Sequence, residues 1–208
     1  MKPRIHRILF DFDEVLAPYR HEKRIAALAT VAGCAHETVR AALFASGLEA
    51  EYDSGAIDTA TYLDRLAGAV GARIDEDAWI GARMAGSVAE LAMLERVAAL
   101  DEALSLAVLT NNGVLMERAI PRILGPLAAR FDGRVLCSGA LRVRKPDPAA
   151  FLQALERLGW TAAGTLFVDD SFANVRSARK VGLHAETVTD ARSLGRVLRR
   201  YALVGAAG

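Results

Sequence analysis

The chain has 208 residues, 26 Lys+Arg against 25 Asp+Glu, and a formal net charge of +1. An apolar content of 52% excludes a disordered chain, and the near balance of charge excludes a strongly basic nucleic-acid binder. The two cysteines, Cys34 and Cys137, are far apart and form no CxxC pair, which argues against a disulfide scaffold and a cysteine zinc site.

The N-terminal stretch from Met1 to Ile8 has no apolar secretory core. No window approaches the roughly 18 consecutive apolar residues of a membrane span. The expectation is a soluble, cytoplasmic protein without membrane or nucleic-acid partners, monomeric or homodimeric. The length suits one domain, or one domain carrying a smaller insertion.

Ile5 to Phe10 is the first short apolar run and reads as a buried parallel strand. It ends in Asp11-Phe12-Asp13-Glu14. From about Pro18 to about Ala85 the pattern turns helical, with Ile25, Leu28, Ala29 and Ala32 on one face and Leu63, Leu66 and Val70 on another. A plain strand–helix–strand crossover needs one helix, so this block predicts an inserted helical cap. Within it, Glu49 to Gly55 reads as a polar loop between helices, either ordinary or substrate-reading. Trp79 reads as packing, as does Trp160 further on.

The second strand is predicted at Leu104 to Leu109, ending in Thr110-Asn111-Asn112. Val135 to Cys137 is a weaker strand candidate. Arg144-Lys145-Pro146 precedes a helix with Asp147 as N-cap and Pro148 as first residue; Phe151, Leu152, Leu155 and Leu158 form its apolar face, and Gly159 stops it. Thr165 to Val168 is the third strong strand and ends in Asp169-Asp170-Ser171. A helix bearing Val175, Ala178 and Val181 follows, then a weaker strand at Ala185 to Val188. Arg192, Arg196, Arg199 and Arg200 read as a solvated helix face, and Gly205 to Gly208 as a frayed tail. The four histidines show no ligand spacing, although His21 stands beside Tyr19 and Arg20 at the entry to the helical block.

Alternating strands and helices predict an α/β doubly wound parallel sheet. Ligands in such sheets bind outside the carboxyl ends of the strands, so the three polar clusters and Lys145 converge on one crevice. Two like charges at ~4 Å repel by about 4 kcal/mol at an effective dielectric of 20. A carboxylate cluster of this kind calls for a hard cation, and Mg²⁺ takes one or two carboxylates together with phosphate oxygens. With Lys145 and the Thr110 hydroxyl added, the site suits a phosphoryl group. One aspartate of the Asp11/Asp13 pair can attack phosphorus while its neighbour protonates the leaving alkoxide and then activates water.

Asp11-Phe12-Asp13-Glu14-Val15-Leu16, Leu109-Thr110-Asn111, Lys145-Pro146 and Val168-Asp169-Asp170 resemble, in order and interval, the four motifs of the haloacid dehalogenase (HAD) superfamily. The helical insertion resembles that superfamily's C1 cap. The resemblance implies a HAD-like Rossmannoid core at 1–17 and 86–208 and a cap at 18–85. It implies Asp11 as nucleophile and Mg²⁺ ligand, and Asp13 as acid/base with its backbone carbonyl on the metal. Thr110 and the amide of Asn111 would bind phosphate, Lys145 would neutralise nucleophile and phosphate, and Asp170 and Asp169 would complete the metal site. Asn174 would support their loop. The implied activity is a Mg²⁺-dependent phosphomonoesterase on a small phosphorylated metabolite such as a sugar phosphate. A phosphomutase, a 2-haloacid dehalogenase-type hydrolase and a non-catalytic binding protein are the alternatives. The sequence departs from the family at Glu14, where glycine is usual.

Overall fold

The computed structural model describes residues 4–204, so the tail expected to fray at 205–208 lies outside the described residues. In chain order the elements are β1 (Arg7–Phe10), α1 (His21–Ala32), α2 (His36–Arg40), α3 (Leu48–Asp53), α4 (Thr59–Val70), α5 (Glu76–Gly86), α6 (Leu91–Ala98), β2 (Ser105–Thr110), α7 (Met116–Leu124), β3 (Val135–Cys137), α8 (Ser138–Leu141), α9 (Pro148–Leu158), β4 (Thr165–Asp169), α10 (Phe172–Lys180), β5 (His184–Thr187) and α11 (Ala191–Arg200). The five strands form one parallel sheet in the order β3-β2-β1-β4-β5. All five strands expected from the sequence are present. No helix among the described residues is long and apolar enough to cross a membrane.

The central strands read as continuous apolar runs because both faces of the sheet are covered. Successive residues go to opposite sides. Ile8, Phe10, Leu106, Val108, Leu166 and Val168 join the larger core, while Leu9, Ala107, Leu109 and Phe167 join a second one. Phe151 of α9 meets Phe167 edge-to-face at 5.1 Å in that second layer. The α9 helix starts as the sequence indicates: Pro148 is its first residue, and the Asp147 side chain accepts from the Ala149 N–H at 2.9 Å. Gly159 ends it in the left-handed region. Its apolar face is narrower than expected. Phe151 and Leu155 are buried, but Leu152, turned about 100° from Phe151, faces solvent.

β1 lies between β2 and β4, with Phe10 opposite both Val108 and Val168. The chain winds outward from β1 in both directions, so the switch in winding falls at its carboxyl end. Asp11 and Asp13 follow β1, Thr110 closes β2, and Asp169 closes β4.

Five helices lie between β1 and β2 before α6. Here one sequence expectation fails. The segment 49–55 is not a loop, since Leu48–Asp53 forms α3 behind a left-handed Gly47. One of its charges is neutralised from inside. Glu49 is buried, accepts from Nη1 and Nη2 of Arg24, and accepts from the Tyr62 hydroxyl at 2.7 Å. Trp79 Nε1 donates to the same hydroxyl at 3.0 Å, and Tyr52 stacks on Tyr62 at 4.2 Å. One buried ion pair therefore ties together α1, α3, α4 and α5. Trp79 packs as expected and also contributes a hydrogen bond. Trp160 is half-buried against the second core, Cys137 is buried, and Cys34 is only half-buried.

Removing one partner of a buried pair leaves an uncompensated charge. Glu49→Ala is expected to cost about 3–5 kcal/mol in urea denaturation, whereas Arg24→Met combined with Glu49→Met recovers most of that loss.

Candidate active site

Asp11 stands one residue past β1, with its backbone N–H donating to the Val168 carbonyl at 2.9 Å. That bond extends the β1/β4 pairing and brings the two strand ends together. Lys145 crosses above them. Its Nζ lies 2.8 Å from Asp11 Oδ1 and 2.7 Å from Asp169 Oδ2. Lys145 is 4% exposed and Asp169 is fully buried, so solvent screens these contacts little.

The Lys145 loop is held by Asn111. The side-chain amide of Asn111 accepts from Lys145 N at 2.9 Å and donates to Lys145 O at 2.8 Å. Asp169 is held equally firmly. Asn174 Nδ2 donates to its two oxygens at 2.9 and 3.0 Å, and the Ser171 N–H donates to Oδ1 at 2.8 Å. Asn174 thus supports the 169–170 turn from one helical turn away, as its spacing suggests. Asp170 points into the opening. Asp11, Asp169 and Asp170 each place a carboxylate oxygen within 4.8 Å of the others.

Burial pushes the Asp11 carboxyl up to about 7, against the pull of Lys145 and with a further push from Asp169. Burial, then Asp169, also raises Asp170. Burial pulls the Lys145 ammonium down, but Asp11 and Asp169 outweigh it and hold the group above its ordinary range. Three carboxylates thus gather beside one lysine.

Asp13 lies on the other side of the opening and is set by contacts that its motif does not foretell. Arg83, from the last turn of α5, donates through one nitrogen to both Asp13 oxygens at 2.6 and 2.8 Å. Asn112 Nδ2 donates to Asp13 Oδ2 at 2.9 Å and to Thr110 Oγ1 at 2.6 Å. Arg83 was not singled out in the sequence. Its signal is a cation four residues after Trp79 on the buried face of a helix, a position that requires an anionic partner.

Glu14 adopts φ +59°, the left-handed conformation that glycine takes freely. Its side chain turns away from Asp11. Its Oε1 accepts from the Tyr19 N–H at 2.9 Å and lies 3.8 Å from Arg20. Glu14 therefore secures the segment leading into α1. His21 stacks against Tyr19 at 4.3 Å and Phe44 at 5.2 Å, and burial together with Arg24 and Arg83 lowers its imidazole. His6 and His36 are exposed and His184 is half-buried. Arg192, Arg196 and Arg199 are exposed on α11, and Arg200 pairs with Glu186.

The helical block is seated on the sheet by α3. Asp53 Oδ1 accepts from the Gly113 N–H at 2.8 Å, the Tyr52 hydroxyl accepts from Leu115 N at 3.0 Å, and Ser138 Oγ donates to the Asp53 carbonyl. A Cβ at Gly113 would lie 2.1 Å from the Tyr52 ring, so glycine is required for this approach. Burial, then the Glu49 charge, pushes Asp53 up to about 7.

Comparison with known proteins adds the following. A family model for haloacid dehalogenase-like hydrolases matches residues 5–182. The chain is 37% identical over 75 residues to the sesquiterpene phosphatase astK of Aspergillus oryzae, and that stretch spans 36% of this chain and 37% of the relative. A HAD-family enzyme of Bacteroides thetaiotaomicron, solved with magnesium and inorganic phosphate, superposes with a TM-score of 0.71 at 20% identity, covering 88% of this chain and 93% of that one. A HAD-like hydrolase of Porphyromonas gingivalis gives 0.71 at 22% identity, over 94% and 98%. The L-2-haloacid dehalogenase of Xanthobacter autotrophicus gives 0.58 at 22%, over 97% and 85%. At these identities the structural likenesses establish the shared fold.

A raised carboxylate means that the folded chain binds extra protons between its unfolded and folded pKa values. Asp53, like Asp11, therefore makes the metal-free protein less stable as pH rises from about 4 to about 7. Asp53→Asn keeps an acceptor for Gly113 and removes the charge. Its melting temperature in EDTA is expected to exceed that of the unsubstituted protein at pH 8 and to match it at pH 4, as calorimetry would show.

Proposed function

The chain belongs to the haloacid dehalogenase-like hydrolase family, and from that premise we propose that it is a Mg²⁺-dependent phosphomonoesterase working through an aspartyl-phosphate on Asp11. One observation carries this reading: Lys145 Nζ sits between Asp11 and Asp169 at 2.8 and 2.7 Å, beside three convergent carboxylate oxygens. The donor set is all oxygen and carries more charge than Lys145 neutralises, which fits Mg²⁺. Asp11, Asp169 and Asp170 would hold the ion, with the Asp13 backbone carbonyl as a further ligand. The ion would polarise the phosphoryl oxygens and favour ionised Asp11.

The chain's own groups then divide the work. Asp11 Oδ attacks phosphorus and the P–O bond to the alcohol breaks. Asp13 protonates the departing oxygen, then takes a proton from the water that cleaves the acyl phosphate. Lys145 draws the phosphoryl oxygens towards Asp11 and keeps its orientation. The Thr110 hydroxyl and the Asn111 backbone N–H are the remaining anion ligands. The Asn111 side-chain amide has a different task, because it is committed to the Lys145 backbone.

We place the core at 1–17 and 86–208 and the cap at 18–85, the cap keeping water and large substrates from the acyl phosphate. The substrate class is a small phosphate ester. A sugar phosphate suits the polar crevice. The sesquiterpene phosphatase relative makes the phosphate of an apolar alcohol the competing candidate, and Tyr19, His21 and Phe44 offer it an aromatic edge. A dehalogenase-type reaction has no need of Asp13 or of the acid pair Asp169-Asp170 at the end of β4.

Purified protein is expected to release phosphate from an aryl phosphate with Mg²⁺ and not in EDTA. Asp11→Asn lowers release to the EDTA level, and Asp13→Asn, which loses the base for acyl-phosphate hydrolysis, lowers kcat by about 10²–10⁴-fold. Release that persists in EDTA, or that survives Asp11→Asn, contradicts the proposal.

A further inference from the structure

Asp13 is held by three N–H contacts, and the restraint comes from outside the four motifs. Arg83 bonds both of its oxygens, and Asn112 adds a third N–H. Arg83 is itself fixed. Its side chain is 1% exposed, Nη1 donates to Ser87 Oγ at 2.7 Å, Nε points at Met116 Sδ at 3.2 Å, and the guanidinium lies 3.7 Å from the centre of the Tyr19 ring.

Two of those partners share a location. Tyr19 and Ser87 sit on the two segments that carry the chain into and out of the helical block. The segments pair with each other as an isolated bridge, and the Arg20 N–H donates to the Gly86 carbonyl at 2.7 Å. Gly86 has no room for a side chain, since an added Cβ would lie 3.0–3.2 Å from Arg24, Arg20 and Tyr19 atoms. Arg83 thus reaches Asp13 from the junction between the helices and the sheet. A planar guanidinium braced on four sides fixes a carboxylate in a way that a flexible ammonium does not.

We propose that Arg83 is a positioning residue that aims the Asp13 carboxyl at the leaving-group oxygen and ties that aim to the seating of the helical block. This rests on the phosphomonoesterase reading above. Its consequence is selective. An ester with a poor alkoxide leaving group depends on a well-aimed proton donor. An ester with a good phenolate leaving group departs without one.

The test compares an alkyl phosphate with 2,4-dinitrophenyl phosphate, both with Mg²⁺. Arg83→Met is expected to lower kcat/KM on the alkyl ester by about 10²–10³-fold, with a far smaller loss of kcat/KM on the dinitrophenyl ester. Arg83→Lys falls between Arg83→Met and the unsubstituted protein. Asp13→Asn shows the same selectivity, and adding Arg83→Met to it costs little more. Equal losses of kcat/KM on the two esters, or losses that multiply in the double variant, overturn the positioning role and leave the phosphatase reading standing. If the unsubstituted protein hydrolyses neither ester, that reading fails and the inference goes with it. Thermal melts accompany each variant. Should Arg83→Met not fold, Asn112→Ala, which removes the third donor, and Arg83→Lys carry the same comparison.

Discussion

The bridge from Lys145 to Asp11 and Asp169 is the interaction on which the rest of the site depends. Parallel pairing places the ends of β1 and β4 side by side, which forces two buried carboxylates together. Their repulsion, in a medium less polar than water, amounts to a few kcal/mol (about 4 at 4 Å and an effective dielectric of 20). One buried ammonium between them offsets part of that cost. Burial first, and the Asp169 charge after it, still push Asp11 and Asp170 upward. Asn111 and Asn174 have no charge, yet they set the geometry by fixing the Lys145 backbone and the Asp169 carboxylate.

The site is thus built of two halves with different supports. Asp11, Lys145 and Asp169 belong to the sheet and to loops packed on it. Asp13 is held by Arg83, whose position is set by the junction segments and by α5. The helices are seated in turn by Tyr52 and Asp53 against Gly113 and Leu115. A small shift of the helical block therefore reaches Asp13 before it reaches Asp11. In the proposed reaction this separates the proton-transfer step, which answers to the cap, from phosphoryl capture, which does not.

Much of this was legible in the sequence. The apolar runs before Asp11, Thr110 and Asp169 marked strands buried on both faces, and a block of helical periodicity between the first two marked the helices α1 to α5. Asp147-Pro148 and Gly159 marked both ends of α9. The acidic and lysine positions were legible because each follows a strand or precedes a helix, where a parallel sheet gathers its ligands. What was not legible depends on pairing across long separations. Glu49 looked like loop polarity because its partner, Arg24, lies 25 residues away. Nothing local singled out Arg83, because its partner Asp13 lies 70 residues away. Glu14 departs from the expected glycine, yet it keeps the left-handed backbone and uses its carboxylate on Tyr19.

The central claim is that Asp11 accepts a phosphoryl group beside a bound cation. Fluorine NMR of the protein with Mg²⁺ and beryllofluoride, a mimic of an acyl phosphate, tests it directly. The account predicts slowly exchanging protein-bound resonances that disappear in EDTA and are absent from Asp11→Asn. Only free beryllofluoride in the presence of Mg²⁺, or bound resonances that survive Asp11→Asn, would contradict it.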